Sequence, residues 1–144
     1  MSTSSLPALP CLCASFRRVT RALSQRYDAA LRELGLTITQ FTLLQALSFV
    51  GEISQGQLGE ILAMDSTTLT RSLKIMSRHR WVATRPGTDR RERLLSLTPK
   101  GMNEFNRALP HWRKAQAEMR AQLGEKRWQH LTSLINEVTS LVAG

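Results

Sequence analysis

The sequence predicts a mainly α fold that carries one small β-hairpin, and three observations predict it. Apolar residues recur at steps of three and four along most of the 144 residues. One stretch, Trp81 to Leu97, abandons that period for two short β-prone runs on either side of Pro86-Gly87. Gly35, Gly51 and Gly124 interrupt the helical runs, so they are separate helices.

The first helix spans Leu12 to Leu34, with a stripe that includes Phe16, Val19, Leu23, Tyr27 and Leu31. Gly35 ends it. Thr39 is placed to cap a second helix, whose apolar positions are Phe41, Leu44, Leu47 and Val50. Ser54 opens a third, with Gln57 at capping-box spacing and Leu58, Ile61 and Leu62 inward. Met64 closes a short turn. Asp65 or Ser66 then caps a fourth helix that buries Leu69, Leu73 and Met76. Its other side presents Thr67, Thr70, Arg71, Lys74 and Arg78. A strand over Trp81–Thr84, a charged turn and a strand over Leu94–Leu97 form the hairpin. Thr98-Pro99 starts a long helix to about Leu123, in which Pro110 should introduce a kink. After Gly124 a last helix carries Trp128, Leu131, Leu134, Ile135, Val138 and Leu141. Short helix, tight turn, polar-basic helix and hairpin together read as a winged helix-turn-helix.

At this length the chain reads as one domain, preceded by a flexible tail over residues 1–10. Within residues 11–144, a winged helix-turn-helix lobe covers about 37–101. Terminal helices at 11–36 and 102–144 flank it. Hydrophobic residues at 42% and charged residues at 22% give a globular balance. The net charge of +9 points to a polyanionic partner. Most of that excess falls in residues 65–101, the fourth helix and hairpin, which is an electrostatic footprint rather than a solubility charge. No apolar run is long enough for a membrane span, and the first ten residues lack a secretory pattern. The expected compartment is cytoplasmic. No P-loop, G-x-S-x-G, H-E-x-x-H or G-x-G-x-x-G occurs, so an enzyme is not expected, nor any cofactor.

The fourth helix has what groove reading needs. The hydroxyls of Ser66, Thr67 and Thr70 can bond phosphates or base edges. The planar fork of Arg71 matches guanine O6 and N7, and Lys74 is a point charge suited to phosphate. The hairpin tip adds Asp89, Arg90, Arg91 and Arg93, whose cations can enter a neighbouring minor groove. The bland alternatives are a solvated helix face and a surface loop of weakly paired charges.

Two motifs carry a resemblance. Asp89-x-Arg91 followed by Leu97-Thr98-Pro99-Lys100-Gly101 resembles the D-x-R and L-T-x-x-G wing pattern of MarR-type winged-helix transcriptional regulators. Asp65-Ser66-Thr67-Thr68-Leu69-Thr70 resembles their recognition-helix opening. The likeness covers about residues 12–143. It implies a homodimer on a pseudo-palindromic double-stranded DNA operator. Ser66, Thr67, Thr70, Arg71 and Lys74 would read the major groove. Arg91 would enter the minor groove with Asp89 orienting it. The first helix and the last two would build the dimer. Most such regulators repress nearby genes and release DNA when an effector arrives, here a small aromatic or anionic ligand or an oxidant. No membrane partner is implied.

Cys13 lies in the first turn of the first helix, four residues before Arg17, a setting that favours a thiolate. The segment resembles the first helix of organic-hydroperoxide-sensing MarR regulators, with Tyr27 matching one tyrosine and Arg17 replacing another. Three readings of Cys11 and Cys13 stand: buried interface residues, redox sensors, or two ligands of a metal site needing help from elsewhere. His79, His111 and His130 are scattered, so no metal site is expected from this chain alone. Trp81, Trp112 and Trp128 read as core or interface anchors, and Tyr27 and Phe41 as candidate walls of an effector cavity. Against the sequence-specific regulator stand a non-specific or architectural nucleic-acid-binding protein, a protein-interaction module and a membrane-surface helix.

Overall fold

The computed structural model of the chain describes residues 5–143. Helix α1 spans Leu12–Leu31, and a 3-10 turn at Arg32–Leu34 leads to Gly35, which takes the left-handed φ of 70°. The predicted first helix therefore tightens in its last turn. The remaining order is α2 (Ile38–Val50), β1 (Ile53–Ser54), α3 (Gln55–Leu62), α4 (Ser66–Arg78), β2 (Val82–Pro86), β3 (Arg93–Leu97), α5 (Pro99–Leu123) and α6 (Glu125–Val142). The first four residues of the expected N-terminal tail lie outside the described residues. In the rest of it, the Pro7 carbonyl accepts from Arg18 at 2.9 Å.

Four expectations change. The cap of α2 is Thr37, not Thr39. The Thr37 hydroxyl accepts the Gln40 N–H while Gln40 Oε1 accepts the Thr37 N–H, a reciprocal box that Thr39 cannot form. Asp28 Oδ1 accepts the Ile38 N–H at 2.7 Å and ties α1 to the same helix end. Ile61 and Val50 point outward rather than inward, at 58% and 43% exposure, and Leu43 takes the buried place on α2. Trp81 precedes the hairpin strand instead of belonging to it. The hairpin is also not alone. The two-residue β1 pairs antiparallel with β3 through Ile53–Leu95 and Ser54–Leu94, making a three-stranded sheet of order β1-β3-β2.

The core gathers where α1, α2 and α5 meet the helix-turn-helix. Leu31, Phe41, Leu44, Leu47, Leu58, Leu69 and Met76 are essentially sealed from solvent. Trp112 stacks on Phe41 with centroids 5.4 Å apart, and Phe105 lies at 5.6 Å on the same ring. Helix α5 runs unbroken through Pro110 from Pro99 to Leu123. Helix α6 contributes no buried residue. It turns back at Gly124 (φ 87°), where Arg120 pairs with Glu125 at 2.5 Å and lies 5.8 Å from the Trp128 ring.

Candidate nucleic-acid interface

Helix α4 is amphipathic as predicted. Leu69, Leu73 and Met76 are buried, whereas Ser66, Thr67, Thr70, Arg71, Lys74 and Arg78 are exposed. Asp65 is the cap. Its Oδ2 accepts the Thr68 N–H at 2.9 Å and its Oδ1 accepts the Thr68 O–H at 2.6 Å. These bonds hold the Asp65 carboxyl below the ordinary range, with the hydroxyl the larger cause. Thr68 is thereby spent on the cap, while Ser66 and Thr67 before it remain exposed.

The turn between α3 and α4 brings both helix starts together. Ser54 caps α3 in a box with Gln57, and Ala63 ends it in the left-handed region at φ 49°. Gln55 Nε2 then donates to Thr70 Oγ1 at 2.9 Å. Gln55 was missed by the sequence reading. No local signal marked it, because its contact with Thr70 spans fifteen residues and depends on how the turn folds α3 against α4.

The wing tip closes on itself. The Gly87 N–H donates to the Glu92 carbonyl and the Glu92 N–H to the Asp89 carbonyl, both at 2.9 Å. Asp89 Oδ1 accepts the Arg91 backbone N–H at 3.2 Å. Asp89 therefore positions Arg91 through its main chain. Among the described residues Arg90, Arg91 and Arg93 have no carboxylate within ion-pair distance. Arg85, lower on β2, is the exception, held by Glu52 in a bidentate contact at 2.5 and 2.7 Å. That contact lowers the Glu52 pKa and fastens the wing to the start of β1.

A cleft of about 1220 Å³ lies where the three pieces meet. Gln55, Gly56 and Glu60 of α3, Asp65, Ser66 and Thr70 at the start of α4, and Asp89, Arg91, Glu92 and Arg93 of the wing line it, with Ala143 beyond α6 also at its edge. The structure thus brings together Ser66, Thr70, Asp89, Arg91 and Arg93. Thr67, Arg71, Lys74 and Arg90 are exposed on the same elements without lining the cleft. Among the described residues, the cleft's only cations are the wing guanidinium groups of Arg91 and Arg93, set among the carboxylates of Glu60, Asp65, Asp89 and Glu92, so the affinity for a polyanion rests on the exposed wing and α4 cations rather than on the cleft walls.

The remaining candidates fall elsewhere. Cys11 and Cys13 are both free and exposed, so burial within the protomer does not describe them. Cys13 and Tyr27 are fourteen positions apart on one helix, roughly 21 Å at helical rise, so they are not neighbours within the chain. Tyr27 instead donates a hydrogen bond to Gln116 Oε1 across α1 and α5, and burial raises its pKa. Phe41 is core. Neither Tyr27 nor Phe41 lines the smaller groove of about 590 Å³ between α1 and α5, where Arg26, Glu33, His111, Lys114 and Glu118 stand. No cluster of metal-ligating side chains is present among the described residues. No helix among them is long and apolar enough to cross a membrane.

Fold and site define the chain as a winged helix-turn-helix transcriptional regulator. Residues 34–92 match the MarR family. The structure aligns with the M. tuberculosis transcriptional regulator MosR, solved in complex with DNA, at a TM-score of 0.78 and 35% identity, over 92% of this chain and 98% of that one. A probable transcriptional regulator from Pseudomonas aeruginosa aligns at a TM-score of 0.74 and 27% identity, over 89% and 99% of the two chains. The regulator SarZ of Staphylococcus epidermidis is 34% identical over 96 residues, which is 66% of this chain and 65% of SarZ. The alignment with the regulator YwoH of Bacillus subtilis, 28% identical, spans 59% of this chain and 62% of YwoH. This chain belongs to the MarR family. Its relatives are transcriptional regulators, not enzymes.

Proposed function

We propose that the chain acts as a homodimer that binds a pseudo-palindromic DNA operator, represses transcription there, and leaves when an effector arrives. The observation that carries this reading is the cleft at the helix-turn-helix. Two helix starts and a wing converge on it, and among the described residues Arg91 and Arg93 on its wing side have no carboxylate within ion-pair distance. Ser66, Thr67, Thr70, Arg71 and Lys74 read the major groove, joined by Gln55 beside Thr70. Arg91 enters the minor groove on a tip shaped by Asp89, with Arg90 and Arg93 beside it on phosphate.

Exposed Leu12, Phe16 and Val19 on α1, and Leu131, Leu134 and Ile135 on α6, support the dimer. The effector reading that a specific observation favours is oxidation. Cys11 and Cys13 are both accessible, and they flank Leu12 at the start of that apolar face. A change of polarity there acts on the dimer and, through it, on operator spacing. A small aromatic or anionic ligand is the competing effector.

The test is one titration of a labelled duplex from upstream of the protein's own gene, with a scrambled duplex alongside, at near-physiological salt. Reduced protein is expected to prefer the upstream duplex. Equal affinity for both duplexes would leave an architectural nucleic-acid-binding protein instead. Treatment with a stoichiometric organic hydroperoxide is expected to abolish the preference, and thiol reductant to restore it. Unchanged binding would return the cysteines to a structural role.

A further inference from the structure

The basic side of α4 does not stop at the residues that face the cleft. Arg71, Lys74 and Arg78 follow one another at steps of three and four along one exposed side. His79 then caps the helix, and Arg80 adopts φ 61°. The ending is a Schellman turn. Arg80 N–H donates to the Ser77 carbonyl at 3.0 Å, and Trp81 N–H to the Met76 carbonyl at 3.1 Å. Glycine is the usual occupant of that left-handed place, because a Cβ there crowds the following carbonyl.

The turn is also locked from the other side. The Arg80 carbonyl accepts the Thr98 hydroxyl at 2.6 Å, and the His79 ring stacks on Trp81 with centroids 4.3 Å apart. Lys100 lies in the first turn of α5 between Thr98, which bonds the Arg80 carbonyl, and Gly101, which packs on the Trp81 backbone. Arg78, Arg80 and Lys100 are exposed and, among the described residues, have no carboxylate within ion-pair distance. A strained position thus carries a long cation where glycine would fit without strain. It comes two residues after Arg78, the last cation on the basic side of the reading helix.

We propose that Arg80, with Arg78 and Lys100, is a second phosphate-binding patch that holds the DNA backbone beside the stretch read by α4. This rests on the DNA-binding reading above. The occupant is backbone rather than base. The three residues present only cations, which meet phosphate without regard to sequence, and Arg78 lies on the helix side assigned to the groove.

The experiment compares the parent protein with Arg80→Gly and Arg80→Lys on the upstream and scrambled duplexes over a range of salt. Arg80→Gly is expected to melt at a higher temperature yet bind both duplexes more weakly by the same factor. That factor is roughly fivefold per protomer near physiological salt, with the salt slope shallower by about 0.9 per protomer. Arg80→Lys keeps the charge and most of the affinity. Unchanged affinity and slope in Arg80→Gly would overturn the patch. So would a loss confined to the upstream duplex, which marks a base contact. A parent that fails to prefer the upstream duplex sinks the regulator reading instead, and the slope on scrambled DNA still decides the patch.

Discussion

Gly101 lies so tightly beneath Trp81 that a Cβ on it would sit 2.1 Å from the Trp81 carbonyl oxygen. The contact explains the spacing of the Leu97-Thr98-Pro99-Lys100-Gly101 run. Thr98 caps α5 by accepting the Gly101 N–H at 3.0 Å and anchors the same turn to Arg80. Gly101 then lets the first turn of α5 rest on the strand-entry backbone. In an exposed helix, Gly→Ala gains about 1 kcal/mol. Here the sign reverses, because the obstacle is backbone that cannot rotate away. Gly101→Ala is expected to lose about 3 kcal/mol, read as a lower denaturant midpoint with the slope unchanged. A gain in stability would show that α5 is free to shift.

Arg91→Ala is expected to weaken operator binding by about 1–3 kcal/mol while leaving the oligomeric state unchanged. Asp89→Ala should produce part of that loss, since Asp89 acts on the Arg91 main chain and not on the guanidinium. Arg71→Ala should instead relax base preference at one position per half-site. Binding titrations against single-base operator variants separate the three. Normal affinity in Arg91→Ala contradicts the wing assignment, and an unchanged base preference moves Arg71 to phosphate.

The Asp65 cap makes stability depend on pH. Thr68 lowers the Asp65 pKa in the folded chain, so the unfolded chain binds that proton more readily. The stabilisation is complete above the ordinary carboxylate value, near 3.9, and is lost as pH falls through the lower folded value. Asp65→Asn keeps an accepting cap and removes the titration. Its melting temperature should fall less steeply with acid than that of the parent below about pH 4. Glu52 and Glu125 are lowered in the same direction by Arg85 and Arg120, so a residual slope is expected. Parallel melting curves would clear Asp65 of any part in acid sensitivity.

Much of this was legible in the chain because the relevant chemistry is local. The Ser54–Gln57 box, the Asp65 cap and the Leu69–Leu73–Met76 stripe each need only four to eight consecutive residues. Most of what escaped depends on distant partners. The strand β1 is two residues long and exists only because β3 pairs with it. The Thr37–Gln40 box is as local as the Ser54–Gln57 box and was open to the same reading, whereas the Asp28 bond to Ile38 that reinforces it comes from another helix. Gln55 became part of the site only once the turn laid it against Thr70. The strain at Arg80 has no signature in composition, since arginine there reads as an ordinary helix end.

The dimer reading can be tested by truncation, which takes only Ala143 from the edge of the cleft, and by a point substitution on α1 that leaves the cleft whole. Helices α1 and α5 run antiparallel, since Arg26 meets Met119 and Tyr27 meets Gln116. The first turns of α1 therefore extend past the end of α5, and they carry exposed Leu12, Phe16 and Val19. Helix α6 buries no residue within the protomer, although Leu131, Leu134 and Ile135 form an apolar face. Removing residues 124–144 should thus leave cooperative unfolding of the lobe in place. The mass in solution should fall to that of one chain, as measured by sedimentation. Phe16→Glu should do the same through a single charge. Operator affinity should collapse in both variants, because two half-sites held by one dimer bind far more tightly than either alone. A truncated protein that stays a folded dimer and keeps its operator would move the interface away from α6.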